Sequence, residues 1–220
     1  MAQASEKHDN PVRIAVIDYG MGNLRSVCKA LEHEGARARV VTDPAVLAGF
    51  DGVVFPGQGG LGDCVASLEA GGMAEALKAW IRDDRPYLGV CLGLQALFGF
   101  SEEGETPGLD LFPGKVLRFR LPPGFKIPHM GWNEARSCQP ACPLIRGLRP
   151  SGEQFYFVHS YYVVPEDPSL TLFETDYGGP FVSGIARGNC FATQFHPEKS
   201  QEQGLRLYRN FVSLTEKIRT

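Results

Sequence analysis

The stretch Tyr87-Leu88-Gly89-Val90-Cys91-Leu92-Gly93-Leu94-Gln95 constrains this chain more than any other. It reads as a strand, the spacing G-x-C-x-G, and a helix. So sharp a turn crowds the backbone, and Gly89 and Gly93 must lack side chains where neighbouring elements close in. The turn lifts Cys91 above a sheet and sets it at a helix N-terminus, whose partial positive charge favours thiolate over thiol. The amide of Leu92 then points in front of the sulfur, where it can donate to an oxyanion. Taken alone, the string fits a small buried cysteine at a tight turn equally well.

A thiol nucleophile needs a proton acceptor, and the acceptor needs holding. Histidines stand at positions 8, 33, 129, 159 and 196. His8 falls in a polar tail and His33 on an exposed helix face. His196 follows a strand directly, in Thr193-Gln194-Phe195-His196-Pro197-Glu198-Lys199-Ser200, and strand ends are where open α/β sheets build sites. Pro197 fixes a torsion between His196 and Glu198. The carboxylate can accept from one ring nitrogen and leave the other for Cys91. A further Gly-rich turn, Phe55-Pro56-Gly57-Gln58-Gly59-Gly60, also follows a strand and exposes backbone amides. It lacks GK[ST] and dinucleotide-loop spacing, so a second oxyanion donor opposite Leu92 is the better reading.

The rest of the chain supports an α/β fold. Strand patterns at 12–18, 38–41, 52–55 and 86–90 alternate with helical patterns at 24–34, 73–81 and 92–98. That alternation predicts a mostly parallel central sheet with helices on both faces. Strands at 115–120, 155–164, 171–174, 181–187 and 190–195 add antiparallel or mixed pairing in the C-terminal half. A helix over 201–218 closes the chain, with Leu207, Phe211, Leu214 and Ile218 on one core-facing stripe. One domain over 12–220 is expected, after a disordered tail over 1–11.

Composition excludes several classes. The net charge is −3 and no basic stripe alternates with aromatics, which argues against nucleic acid. No apolar run reaches membrane-spanning length, and the start has no signal-peptide core, so a cytoplasmic protein is expected. The six cysteines read as free thiols in that compartment. Cys138 and Cys142 lack the further ligands a metal site needs, as do His196 and Glu198. No metal and no other cofactor is expected.

PGQGG, GVCLGLQALF and QFHPEKS, in that order and at these separations, closely resemble class I (triad) glutamine amidotransferases. The resemblance covers the chain from about Val12 onward. Asp18-Tyr19-Gly20-Met21-Gly22-Asn23-Leu24-Arg25-Ser26 and Pro128-His129-Met130-Gly131-Trp132-Asn133 narrow it to the glutaminase subunit of imidazole glycerol phosphate synthase. The fold implied is flavodoxin-like. The activity implied is hydrolysis of L-glutamine through a Cys91–His196–Glu198 triad and a glutamyl thioester. Leu92, Gly57 and Gln58 would form the oxyanion hole. Gly57, Gly59, Gln95, His159, Ser160 and Tyr161 would bind glutamine, His159 in a supporting role. The implied partner is a (β/α)8-barrel cyclase, forming a heterodimer, which receives the ammonia and makes imidazole glycerol phosphate and AICAR. Asn23, Ser26, Trp132 and Lys199 match interface positions. The resemblance also implies low activity until the cyclase ligand binds; a turn of the Gly57–Gln58 N–H toward the oxyanion, made cheap by glycine at 57, would account for it.

Three rivals are open at this point. The chain could serve anthranilate, GMP or carbamoyl phosphate synthesis, be a non-catalytic α/β binding module, or be a cysteine peptidase on the same fold. Its tail is longer than the resemblance implies, Gly60 replaces a bulkier residue, and 137–154 is Pro-rich and irregular.

Overall fold

The structure is a computed structural model that describes residues 10–219. The tail expected over 1–11 thus falls almost wholly outside the described residues. The strands of the first half are β1 (Arg13–Ile17), β2 (Arg37–Val41), β3 (Gly52–Gly57), β4 (Tyr87–Cys91), β5 (Phe98–Ser101) and β6 (Thr106–Pro107). Those of the second are β7 (Phe112–Arg118), β8 (His129–Ser137), β9 (Glu153–His159), β10 (Tyr161–Pro165), β11 (Thr171–Asp176), β12 (Pro180–Arg187) and β13 (Cys190–Thr193). The helices are α1 (Leu24–His33), α2 (Leu61–Ala70), α3 (Met73–Arg82), α4 (Leu92–Gln95) and α5 (Gln201–Arg219).

β1 explains the layering. Ala15 and Ile17 enter one hydrophobic cluster and Ile14 and Val16 the other. A strand apolar on both faces needs cover on both. Leu61, Leu68, Leu77 and Trp80 of α2 and α3 supply it on one side. Val27, Leu31, Leu207 and Phe211 of α1 and α5 supply it on the other. Strands β2-β1-β3-β4-β13 form the parallel centre. Antiparallel β12, β10 and β7 extend it, and β11 leads from β12 to the β8–β9 pair.

Two registers position the site. β3 against β4 sets Gly57 opposite Cys91. β4 against β13 sets Val90 opposite Thr193, so Gln194 comes next to Cys91.

The structure corrects four expectations. The helix expected over 92–98 is one short element, α4, because Phe98 turns back into β5. The run 155–164 is two strands broken at Ser160, one paired with β8 and the other with β7 and β12. Ile218 is 44% exposed, since the last turn of α5 projects beyond the core. Helix α2 and strand β8 had no counterpart among the expected elements.

Candidate active site

Cys91 ends β4 with φ 55° and ψ −102°. A residue with a side chain holds such a backbone only where its surroundings enforce it. Here they do. A Cβ on Gly89 would stand 2.5 Å from the Gly93 carbonyl oxygen, and one on Gly93 would collide with the Phe55 carbonyl. The tightness of the elbow therefore needs both glycines. As the first residue of α4, Leu92 has an amide without an intrahelical acceptor.

His196 follows β13 and is 1% exposed. Its Nδ1 donates to Glu198 Oε1 at 2.8 Å, because an ionised carboxylate can only accept. Nε2 makes no hydrogen bond among the described residues and lies within electrostatic reach of Cys91. Burial pulls the imidazole pKa down. The charge of an ionised Cys91 and the Glu198 carboxylate outweigh burial and push it up to about 10. The arrangement therefore keeps the imidazole protonated beside the sulfur. Glu198 Oε2 adjoins the buried Tyr208 hydroxyl of α5, and neither has another partner among the described residues.

A chain of side-chain hydrogen bonds ends on the sulfur. Gln194 Nε2 donates to Cys91 Sγ at 3.5 Å. Gln95 Nε2 donates to Gln194 Oε1 and to the Tyr161 carbonyl, each at 3.1 Å. The same carbonyl accepts from His159 Nδ1 at 2.8 Å. His159 Nε2 meets His129 Nδ1 at 2.9 Å, and Asn133 Nδ2 meets His129 Nε2 at 3.2 Å. A carbonyl only accepts, so the proton of His159 sits on Nδ1 and that of His129 on Nδ1 as well. Burial lowers both pKa values, to about 3 for His159 and about 4 for His129, so both rings are neutral.

Cys91, Leu92 and His196 share a cavity of about 440 Å³. Gln58, Gly59, Gln95, His159, Ser160 and Tyr161 also line it, together with Lys199. Gly57 does not; it packs beneath, against Leu92. Both ring nitrogens of His159 are used inside the chain. The Gln58 N–H donates to the Tyr19 hydroxyl at 2.7 Å.

Four residues escaped the sequence reading. Glu103 lines the cavity and accepts from the Leu61 amide at 2.8 Å. Nothing in its surface-like acidic run marks it. Gln194 carried a signal: strand alternation puts it on the side of His196. Tyr19 and Tyr208 carried none, since each contact depends on tertiary packing.

Of the expected partner contacts, Trp132 is 46% exposed and packs edge-on to Tyr156 at 6.2 Å. Lys199 Nζ lies 5.8 Å from the same ring, so both share one platform. Asn23 and Ser26 are half-buried, at the start of α1. Among the described residues no group of His, Cys, Asp or Glu converges in a way that could hold a metal ion.

Comparison with known proteins assigns the family. The profile described as glutamine amidotransferase class-I matches residues 15–214. The imidazole glycerol phosphate synthase subunit HisH of Synechococcus sp. (strain JA-3-3Ab) is 52% identical over 202 residues, covering 91% of this chain and 93% of that protein. The subunit of the same name from Syntrophotalea carbinolica is 52% identical over 207 residues, covering 90% and 98%. Among solved structures, PurLQS from Thermotoga maritima aligns with a TM-score of 0.75 at 19% identity, covering 93% of this chain and 99% of the other. The glutaminase domain of Trypanosoma brucei CTPS with bound acivicin aligns at 0.67 and 18% identity, covering 94% of each. These two likenesses speak to the fold alone. With a family profile running from β1 into α5 and relatives half identical over nine-tenths of its length, the chain belongs to the class-I glutamine amidotransferases.

Proposed function

We propose that this chain is the glutaminase subunit of an imidazole glycerol phosphate synthase, acting in histidine biosynthesis in the cytoplasm. Its reaction is hydrolysis of L-glutamine to glutamate and ammonia. The observation that carries the reading is the meeting, at one cavity, of Cys91 on its strained elbow with the His196–Glu198 pair. The naming of half-identical relatives as subunits of that synthase supports it.

Glutamine enters with its side-chain amide toward the sulfur. Glu103, the acidic group of the cavity lining, faces the substrate ammonium, and Gln95 and the Ser160–Tyr161 backbone hold the rest of the amino-acid end. The Cys91 thiolate attacks the amide carbon; a C–S bond forms as the carbonyl π pair moves to oxygen. The Leu92 amide and an amide of the Gly57–Gln58 segment stabilise that oxyanion. Imidazolium His196 gives its Nε2 proton to the departing nitrogen, the C–N bond breaks, and ammonia leaves a glutamyl thioester. Neutral His196 then takes a proton from water as its oxygen attacks the thioester. The C–S bond breaks, glutamate departs, and the thiolate–imidazolium pair is restored. Glu198 holds the ring through Nδ1 throughout. No metal or cofactor takes part.

The partner is a (β/α)8-barrel cyclase that docks over the cavity mouth through Asn23, Ser26, Trp132 and Lys199. Exposed Met130 and Trp132 give that face the apolar centre an interface needs. Reconstitution with the cyclase tests the reading. Cys91→Ala should abolish glutamine-dependent synthesis and spare ammonia-dependent synthesis; glutamine-dependent turnover in that variant would overturn it.

A further inference from the structure

Helix α5 comes so close to the triad that one of its residues must lack a side chain. A Cβ on Gly204 would collide with the carbonyl of Pro197, the residue between His196 and Glu198. The Gly204 amide donates to the Ser200 carbonyl at 3.1 Å, which fixes the first turn of α5 there. The far side of the same segment is tied to β9. The His196 amide donates to the Tyr156 carbonyl at 2.9 Å, and Ser200 Oγ accepts from the Tyr156 amide at 3.0 Å. Residues four apart on a helix share a face. The close approach at Gly204 therefore carries Tyr208, one turn on, to the Glu198 carboxylate.

That carboxylate has two oxygens and one of them is engaged. Oε1 accepts from His196 Nδ1 at 2.8 Å. Oε2 and the adjoining Tyr208 hydroxyl are buried and make no hydrogen bond to any other group among the described residues. The Glu198 side chain is 1% exposed and Tyr208 is fully buried, so bulk water reaches neither. Two unpaired buried polar groups are costly, and one O–H···O contact satisfies both. An ionised carboxylate only accepts, so the phenol is the donor. Burial first, then the Glu198 charge and Cys28 of α1, raise the phenol pKa well above its usual value, and the hydroxyl keeps its proton. The last torsion of a glutamate is broad. Held at one oxygen alone, the carboxylate can rock about that bond and draw Oε1 off the imidazole. A second donor on Oε2 stops the rocking.

We propose that Tyr208 is a positioning residue for the triad: its hydroxyl donates to Glu198 Oε2 and fixes the carboxylate that orients His196. It acts through Glu198 and touches no reacting atom. The inference rests on the glutaminase reading and adds to that site a support drawn from the C-terminal helix.

Tyr208→Phe keeps the ring in the core and deletes the hydroxyl. In the complex with the cyclase, kcat for glutamine-dependent synthesis should fall about tenfold, as expected for losing one hydrogen bond to a charged group. KM for glutamine should not change, because substrate does not meet Tyr208. Ammonia-dependent synthesis by the same complex should hold its rate, which shows that the subunits still fold and assemble. A purely structural tyrosine would cost the same whatever stands at position 198, so a double-mutant cycle separates the two roles. In a Glu198→Gln background, Tyr208→Phe should cost less than about twofold, since the group it positions is already gone. A tenfold loss in both backgrounds would overturn the proposal, as would no loss in the otherwise unsubstituted chain. Proton NMR of the unsubstituted full chain gives a second measurement. The Tyr208 hydroxyl proton should resonate downfield, as in a charge-assisted O–H···O bond. A resonance at the position of a free phenol would also sink the idea. If the unsubstituted complex made no product from glutamine, the glutaminase reading itself would fall. A full rate in Tyr208→Phe removes the role of Tyr208 alone.

Discussion

The two sides of the cavity are built differently. On the nucleophile side, Cys91 receives a hydrogen bond from Gln194, and a chain of fixed polarity continues through Gln95, the Tyr161 carbonyl, His159 and His129 to Asn133. On the oxyanion side, one Tyr19 hydroxyl holds one peptide. Each bond is worth about 1 kcal/mol net. A chain of several must be broken together, whereas a single hydrogen bond can be opened by a modest differential contact. The nucleophile side is thus held at many points and the oxyanion side at one. Substitutions on the first side should lower or retune activity.

The largest loss on the wired side, short of removing the thiol, should come from Glu198→Gln. The carboxylate helps keep His196 protonated against burial, which pulls the other way. Without it the imidazole pKa falls, and the imidazolium that protonates the departing ammonia is lost at a lower pH. Glutaminase kcat should drop on the order of 10²-fold. The alkaline limb of kcat/KM should move to lower pH. A full rate with an unmoved profile would show that the pair does not work as a unit.

Gln194→Leu asks whether the wiring reaches the sulfur. Losing the donor at the sulfur should change the rate of Cys91 alkylation by iodoacetamide at pH 7. Tyr19→Phe should leave that rate in place, because it touches the oxyanion side. A rate that changes equally in both variants would erase the distinction between the two halves.

The difference between the sides also governed what could be read from sequence. Local chemistry was legible: the elbow at Cys91 and the His196-Pro197-Glu198 turn are each written within a few residues. The parallel centre was legible from alternating strand and helix patterns. The contacts between segments were not. Tyr19 meets Gln58 only because β1 and β3 are neighbours in the sheet. Gln194 reaches Cys91 only through the β4–β13 register. Ser160 breaks the 155–164 run because β9 follows β8 while β10 joins β7 and β12, and an unbroken apolar pattern does not reveal such a change of partner. Glu103 sits beside Glu102, which pairs outward with Arg120, and composition cannot tell the two apart.

The smallest effect on turnover, and the clearest on stability, should come from acid. His159 is 6% exposed, and burial lowers its pKa to about 3 from an unfolded value of 6.5. The unfolded chain therefore binds a proton that the folded chain refuses. The contribution of His159 is fully present above about pH 6.5 and is lost as pH falls toward 3, at about 1.4 kcal/mol per pH unit. His129, Phe119, Phe157 and Phe181 surround the ring, and nearby His196 carries charge of the same sign. No described contact among these would welcome a second imidazolium. Urea titrations between pH 7 and 4 should show stability falling with pH in the unsubstituted chain, His129 adding to the fall in the same direction, and a shallower fall in His159→Gln. In Tyr19→Phe the slope should persist unchanged, because the deleted hydroxyl does not titrate in that range. If His159→Gln kept the full slope, the neutral histidine relay would lose its place as the rigid half of the site.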